Sequence, residues 1–327
     1  MARQRATDIE VTVDGRSFGL SNPDKVLFPG DNGKDGKDGK DGALTKLGLV
    51  DYYRRIADVM VPHVRGRPVM MARYPDGIGG PSFYQKKVSD HFPDWVHRVE
   101  VGKEGGTVVH PICDDAAALA YLAGQASITP HTWLSRADRL HHPDRLIVDL
   151  DPSGDDPIAE FEDVRSAAGL VRDLFEETGL VPFLQTTGSR GLHVVAPLDR
   201  SADFEEVRAF AHGLAAVAAA QDPDRLTIEH RKAKRGGRVF LDVMRNAYAQ
   251  TAVPPYGVRP RPGAPVATPL EWRELGDRRL GSQRYTVHNL FRRLARRDDP
   301  WADIDRHARS LRSATKRLER MTEGLSR

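Results

Sequence analysis

A chain of 327 residues is long enough to bury one large core or two smaller ones without covalent staples. Its single cysteine, Cys113, excludes a disulfide framework, no apolar run reaches the length of a membrane span, and the opening MARQRATDIE is too polar for a signal peptide, so a soluble cytoplasmic protein is expected. The net charge of +3 conceals a gradient: residues 1–242 carry 31 Lys and Arg against 37 acids, residues 243–327 carry 18 against 9. A basic final third suits a polyanionic partner, although the run at 292–297 reads equally well as a solvated helix.

Taken in order, the first 110 residues mix short strands with one helix over 45–61. Leu49, Tyr53, Ile56 and Met60 form its apolar stripe, and Thr45 stands at its N-cap. Ahead of it lies DNGKDGKDGKDG, residues 31–42, whose polar low-complexity composition cannot build a core and reads as a flexible insertion. It makes a poor calcium loop, because Gly33 and Gly42 occupy the third and twelfth ligand positions. An N-terminal α/β module over 1–110 is expected, then a second α/β domain over 111–300 and a helical tail over 301–327.

RLIVDLDP, residues 145–152, predicts a strand. After it, Asp155 or Asp156 caps a helix opened by Pro157, with Ile158, Phe161, Val164, Ala168, Val171 and Phe175 on one side and Gly179 at its end. Two strands follow, VPFLQT and LHVVAPL, joined by a turn at 187–191. A second helix has Asp203 as cap, Glu206 three residues on, and Phe204, Val207, Phe210, Leu214 and Val217 inward. RVFLDVMRN, residues 238–246, closes the series as a strand. This is the split βαβ order of ferredoxin-like and RNA-recognition-like α+β folds, in which the first strand is central, the third and fourth are its neighbours, and both helices cover one face.

Alternate residues of a strand share a face roughly 7 Å apart, so Asp149 and Asp151 project together while Val148 and Leu150 enter the core. Two such carboxylates repel each other unless a cation lies between them. Asp242 on the last strand and His193 on the third converge on the same face in this topology. Three strand-borne aspartates point to a two-metal phosphoryl-transfer site. The GlySerArgGly turn at 188–191 reads as a phosphate grip, in which small residues expose backbone N–H groups and Arg190 forks onto anionic oxygens, or as an ordinary hairpin turn.

NPDKVLFP at 22–29, GRPVMMARYPDG at 66–77, PSFYQKK at 81–87, DRLIVDLDP at 144–152, TTGSRGLHVVAPL at 186–198, RVFLDVMRN at 238–246 and AVPPYGVRPRPGAPVATPLEW at 252–272 together resemble, in order, the blocks of the polymerase domain of bacterial ligase D and its stand-alone relatives in the archaeo-eukaryotic primase superfamily. The resemblance implies an RNA-recognition-like palm over 111–300 packed with the N-terminal module. It also implies a template-dependent nucleotidyltransferase that fills short gaps or extends broken DNA ends in non-homologous end joining, uses Mn2+ or Mg2+ with NTP or dNTP, and often prefers ribonucleotides. Asp149, Asp151 and Asp242 match the family's metal ligands. His131, Thr187, Ser189, Arg190, Gly191, His193 and Arg259 fall in its nucleotide site. Lys25 and Lys46 match the grip on a 5′-phosphate, Phe83 and Tyr84 the aromatic pair that stacks on DNA, and Lys86 a phosphate contact. Ku and a DNA ligase are the implied partners, and the nucleoid the implied location.

Two departures accompany these matches: the insertion separates Lys25 from Lys46, and Thr187 stands where many relatives have serine. Two other readings use the same residues. A haloacid-dehalogenase-like phosphatase would employ Asp149 as nucleophile and Asp151 as acid/base, and a non-catalytic DNA-end binding module would employ the lysines and aromatics alone.

Overall fold

A computed structural model of the chain describes residues 8–30, 42–103, 105–154 and 161–325. Residues 31–41 of the low-complexity insertion and the expected helix start at Asp155, Asp156, Pro157 and Ile158 lie outside the described residues. The chain forms two compact units, each assembled from separate segments: Met1–Thr132 with Val253–Val266 and Tyr285–Arg297, and Trp133–Ala252 with Ala267–Arg284 and Asp298–Arg327. No helix among the described residues is long and apolar enough to cross a membrane.

The first unit contains the hairpin β1 (Ile9–Val13) and β2 (Arg16–Leu20), the pair β3 (Val26–Phe28) and β4 (Leu44–Thr45), helix α1 (Lys46–Val64), strands β5 (Val69–Arg73) and β6 (Phe83–Gln85), the hairpin β7 (Arg98–Lys103) and β8 (Gly106–Pro111), helix α2 (Ala116–Gly124) and strand β9 (Ser127–Trp133). Thr45 caps α1 as expected, its Oγ1 accepting from Gly48 N–H at 3.1 Å, and Leu49, Tyr53, Ile56 and Met60 are buried. The helix runs one turn past its expected end, through Pro62. The proline removes a single donor close to the terminus, where the following residues still close the last turn. α1 packs on α2, and β5 lies between β6 and β9, antiparallel to both.

The second unit holds β10 (Arg145–Asp151), α3 (Phe161–Thr178), β11 (Phe183–Thr186), β12 (Leu192–Pro197), α4 (Phe204–Gln221), β13 (Leu226–Thr227), β14 (Val239–Asp242), β15 (Thr251–Ala252) and β16 (Pro269–Leu270). The short helix α5 (Leu290–Leu294) belongs to the first unit, and α6 (Leu311–Leu325) to the second, where it packs on α3 and α4. The sheet runs β13-β14-β10-β12-β11-β16. Its four middle strands each run antiparallel to their neighbours and have the ferredoxin-like arrangement: β10 is central, with β12 on one side and β14 on the other. β13 and β16 extend the two edges by two residues each.

α4 begins with a complete capping box, Asp203 Oδ1 accepting from Glu206 N–H and Glu206 Oε2 accepting from Asp203 N–H, both at 2.9 Å. Its Phe204, Val207, Phe210, Leu214 and Val217 are buried, as are Val164, Ala168, Val171 and Phe175 of α3. Each such large side chain stabilises the fold by about 1.5 to 3 kcal/mol relative to exposure. Val148 and Leu150 are fully buried, so β10 presents its odd-numbered residues on the opposite face.

That second face is only partly open. Phe183, Val195 and Ile147 form an apolar row across β11, β12 and β10, and Leu134, Phe204, Trp301 and Ile304 cover it. Trp301 Nε1 donates to Leu184 O at 3.1 Å, fastening the cover to the sheet. An apolar row exposed to water would be unfavourable, and Trp301 and Ile304 help to hide it. The polar row beside it remains for chemistry.

Candidate active site

Register builds the centre. Gln185 pairs with His193, His193 with Asp149, and Asp149 with Asp242, so one transverse row of polar side chains crosses four strands on a single face. Asp151 follows two residues along β10, opposite Phe240. Carboxylate oxygens of Asp149, Asp151 and Asp242 lie within 4.8 Å of one another. His193 Nε2 stands 3.4 Å from Asp149 Oδ2, and Arg245 Nε 3.7 Å from the same oxygen. Asp242 Oδ1 accepts from Met244 N–H at 2.8 Å, which fixes the third carboxylate at the end of its strand.

Three acids this close are electrostatically unfavourable. Burial, then the charges of Asp149 and Asp242, push Asp151 up to about 7, against which His193 and Arg245 pull down. Carboxylate oxygens converging from two rigid strands are the donor set that hard divalent cations take, and a cation there removes the repulsion that raises Asp151. The residues therefore fit the implied metal.

The turn after β11 abuts this centre. Thr187 is buried, and its hydroxyl is engaged within the turn: it donates to Gly191 O at 3.0 Å, lies 3.1 Å from Ser282 Oγ, and accepts from Ser189 and Gly191 N–H at 3.2 Å each. Ser282 Oγ also donates to Gly191 O at 2.8 Å. Thr187 thus organises the loop that displays Ser189 and Arg190. The Arg190 guanidinium donates to Gly154 O, and Ser189 O accepts from Gln283 Nε2 at 2.6 Å. Gly191 has no alternative here, since a Cβ would lie 1.8 Å from Leu150 O on the acid-bearing strand.

The remaining expected residues lie in the first unit. Val26 of β3 pairs with Thr45 of β4, and Lys46 N–H donates to Lys25 O at 2.8 Å, which sets the two lysines side by side across that pair. Lys46 is buried, its Nζ donating to Ser21 O at 2.6 Å, and burial, Lys25 and Arg73 in that order lower its pKa. Lys25 Nζ is held by Asp76 Oδ1 at 2.6 Å. Three mutually repelling cations suit an anion.

Phe83 and Tyr84, 48% and 65% exposed, occupy β6. Being adjacent on a strand, they point to opposite faces: Phe83 lies under the Arg73 guanidinium at 5.3 Å, and Tyr84 meets the His131 ring edge-on at 6.2 Å. Lys86 follows them, exposed. Arg259 sits in a segment anchored to α1 and β9, where Tyr53 Oη accepts from Val258 N–H at 3.1 Å and Thr129 Oγ1 donates to Val258 O at 2.5 Å.

Sequence reading missed Gln185, Arg73, Ser282, Asn246 and Arg245. Gln185 alone had a local signal, a polar residue at an inward position of a predicted strand. The others are brought in by tertiary structure.

A family model for the LigD primase-polymerase domain matches residues 45–301. The chain belongs to the LigD primase-polymerase family. The multifunctional non-homologous end joining DNA repair protein LigD of Mycobacterium tuberculosis is 33% identical over 317 residues, which cover 92% of this chain and 40% of that protein. Its counterpart in Pseudomonas aeruginosa is 34% identical over 261 residues, 79% of this chain and 31% of that protein. The chain thus spans less than half the length of these curated relatives. The solved polymerase domain from Mycobacterium tuberculosis ligase D in complex with DNA matches with a TM-score of 0.78 and 32% identity, covering 89% of this chain and 98% of that one. Membership makes this LigD-type chain a nucleotidyltransferase of the polymerase class, homologous to proteins of non-homologous end joining. The phosphatase reading is not favoured: Asp149 and Asp151 belong to a trio completed by Asp242, and the family is a polymerase family.

Proposed function

We propose that this chain adds nucleotides, preferentially ribonucleotides, to a 3′-end at short gaps and broken ends of DNA during end joining, recognising a 5′-phosphate on the downstream strand. The observation that carries the reading is the register that aligns Asp149 with Asp242 and leaves Asp151 beside them. Asp149, Asp151 and Asp242 would hold two divalent cations, Mn2+ or Mg2+, which supply charge stabilisation to the attacking and leaving oxygens of an in-line displacement. Burial and its two acidic neighbours raise the Asp151 carboxyl, and a cation held there would favour its ionised form. His193 orients Asp149 through the 3.4 Å contact. The 187–191 turn offers Ser189, Arg190 and backbone N–H groups to the triphosphate, with Thr187 shaping that turn, and the resemblance adds His131 and Arg259 as nucleotide contacts.

The N-terminal module over 1–110 is proposed as the DNA-end grip. Lys25 and Lys46, with Arg73 beside them, receive the 5′-phosphate; Phe83 and Tyr84 stack on bases, and Lys86 meets the backbone. Ku and a DNA ligase are proposed partners, and the nucleoid the place of action. Extension of a gapped duplex, with and without a 5′-phosphate and comparing ribo- with deoxyribonucleotides, tests the reading. Asp149→Ala should abolish extension while leaving end binding intact, and extension that survives the substitution would refute it.

A further inference from the structure

The short helical turn Met244–Asn246 that follows β14 is fastened at both ends. At its start Met244 N–H donates to Asp242 Oδ1. At its end the fully buried Asn246 brackets β10, its Oδ1 accepting from Ile147 N–H at 2.9 Å and its Nδ2 donating to Ile147 O at 2.7 Å and Val243 O at 2.8 Å. Arg245 stands between these anchors, so its backbone cannot drift from the acids. Its side chain remains 41% exposed and has room to swing, with Nε 3.7 Å from Asp149 Oδ2.

We propose that Arg245 is the built-in countercation of the carboxylate trio, holding Asp149 and Asp151 in place before metal arrives and then competing with the cation, so that it sets the affinity of the site. This inference depends on the reading of the trio as a divalent-cation site and adds a residue that tunes it. A guanidinium is positively charged at every physiological pH, so its repulsion of an incoming cation cannot be switched off by losing a proton. His193 approaches the same oxygen but is confined, its side chain 4% exposed within the sheet. Of the two, only Arg245 can both neutralise the acids and move aside.

Binding of Mn2+, followed by the paramagnetic resonance of the free ion without nucleotide or DNA, separates the possibilities. Against the wild type, Arg245→Gln should bind Mn2+ about threefold to thirtyfold tighter, because one positive charge a few ångströms from the site is gone. Its metal-free form should melt at a lower temperature, with Mn2+ restoring most of the difference. Arg245→Lys should return both properties toward wild type, which a purely shape-filling role for the arginine would not allow. Unchanged or weaker Mn2+ binding by Arg245→Gln overturns the proposal, and so does a raised nucleotide KM with Mn2+ affinity unaltered, which would make Arg245 a phosphate contact. If wild-type uptake of Mn2+ is no greater than that of Asp149→Asn, the cation site itself fails and the inference falls with it. If the wild type binds and Asp149→Asn does not, while Arg245→Gln matches wild type, only the inference falls.

Discussion

Asp149 is 5% exposed and fixed by register between His193 and Asp242, whereas Lys25 just precedes a short strand and Phe83 and Tyr84 stand on another, all three side chains reaching solvent. Both regions concentrate charge of one sign, yet in different dielectric surroundings. Like charges in water repel weakly and are screened by salt; the same charges under a sheet destabilise the fold until a counterion arrives. On the proposed reading the acid trio is the part of the molecule least tolerant of change, and the lysine pair the part that tunes affinity. The difference separates chemistry from docking: a reacting centre needs carboxylates held to within fractions of an ångström, while a grip on a phosphate end tolerates side chains that adjust.

The contrast should appear first in the size of effects. Asp242→Asn is expected to lower the rate of single-turnover nucleotide addition by about a thousandfold or more, with affinity for a DNA end almost unaltered. A loss of only a few-fold would place the third carboxylate outside the reacting centre. Next in size, Gly191→Ala should destabilise the second unit by about 3 kcal/mol or more in denaturant unfolding, because the added methyl collides with Leu150 O and pries the turn from β10. A stable Gly191→Ala protein with wild-type activity would show that the turn and the acid strand are not tightly joined.

A gentler break of the comparison targets the lysine pair of the first unit. Lys46→Ala should weaken binding of a 5′-phosphorylated end by about tenfold, leave an unphosphorylated end nearly unaffected, and reduce the salt dependence of binding by about one counterion. Equal loss for both ends would turn Lys46 into a general backbone contact.

The smallest effect is also the one that reverses sign. Asp151 has a folded pKa of about 7 against an ordinary 3.8, so the folded metal-free protein holds a proton that the unfolded chain has released between those values. Stability of the metal-free wild type should therefore fall as pH rises through that window, with the full penalty present above about 7. Asp151→Asn removes the group, and at pH 8 the metal-free variant should be more stable than wild type by about 1 to 2 kcal/mol, the gap closing toward pH 4. A variant less stable than wild type at pH 8 would mean that the acids are well compensated without metal.

Much of the centre was legible from residue order. Alternation of Asp149 and Asp151 with Val148 and Leu150 is a period-two signal, and the ferredoxin-like order follows from counting elements between turn residues. Thr45, Asp203 and Glu206 announced their helices because capping chemistry is local. Opposite orientation of Phe83 and Tyr84 was equally available from strand periodicity, although the two read as a pair. Long-range arrivals stayed out of reach. Asn246 grips Ile147 across 99 positions, and Ser282 reaches Thr187 across 95, by contacts that neither segment encodes alone. The return of Val253–Val266 and Tyr285–Arg297 to the first unit is of the same kind, since packing decides it and no local motif marks it. The packing of Trp301 and Ile304 on the acid-bearing face follows from an apolar row that becomes visible only once strands are registered.

The central claim is that Asp149, Asp151 and Asp242 jointly ligate paired divalent cations. Anomalous diffraction from crystals soaked in Mn2+ and a non-hydrolysable nucleotide tests it most directly. The account predicts two anomalous peaks at the carboxylate trio, both absent from Asp149→Asn crystals. Manganese bound elsewhere, with the three side chains unligated, would contradict it.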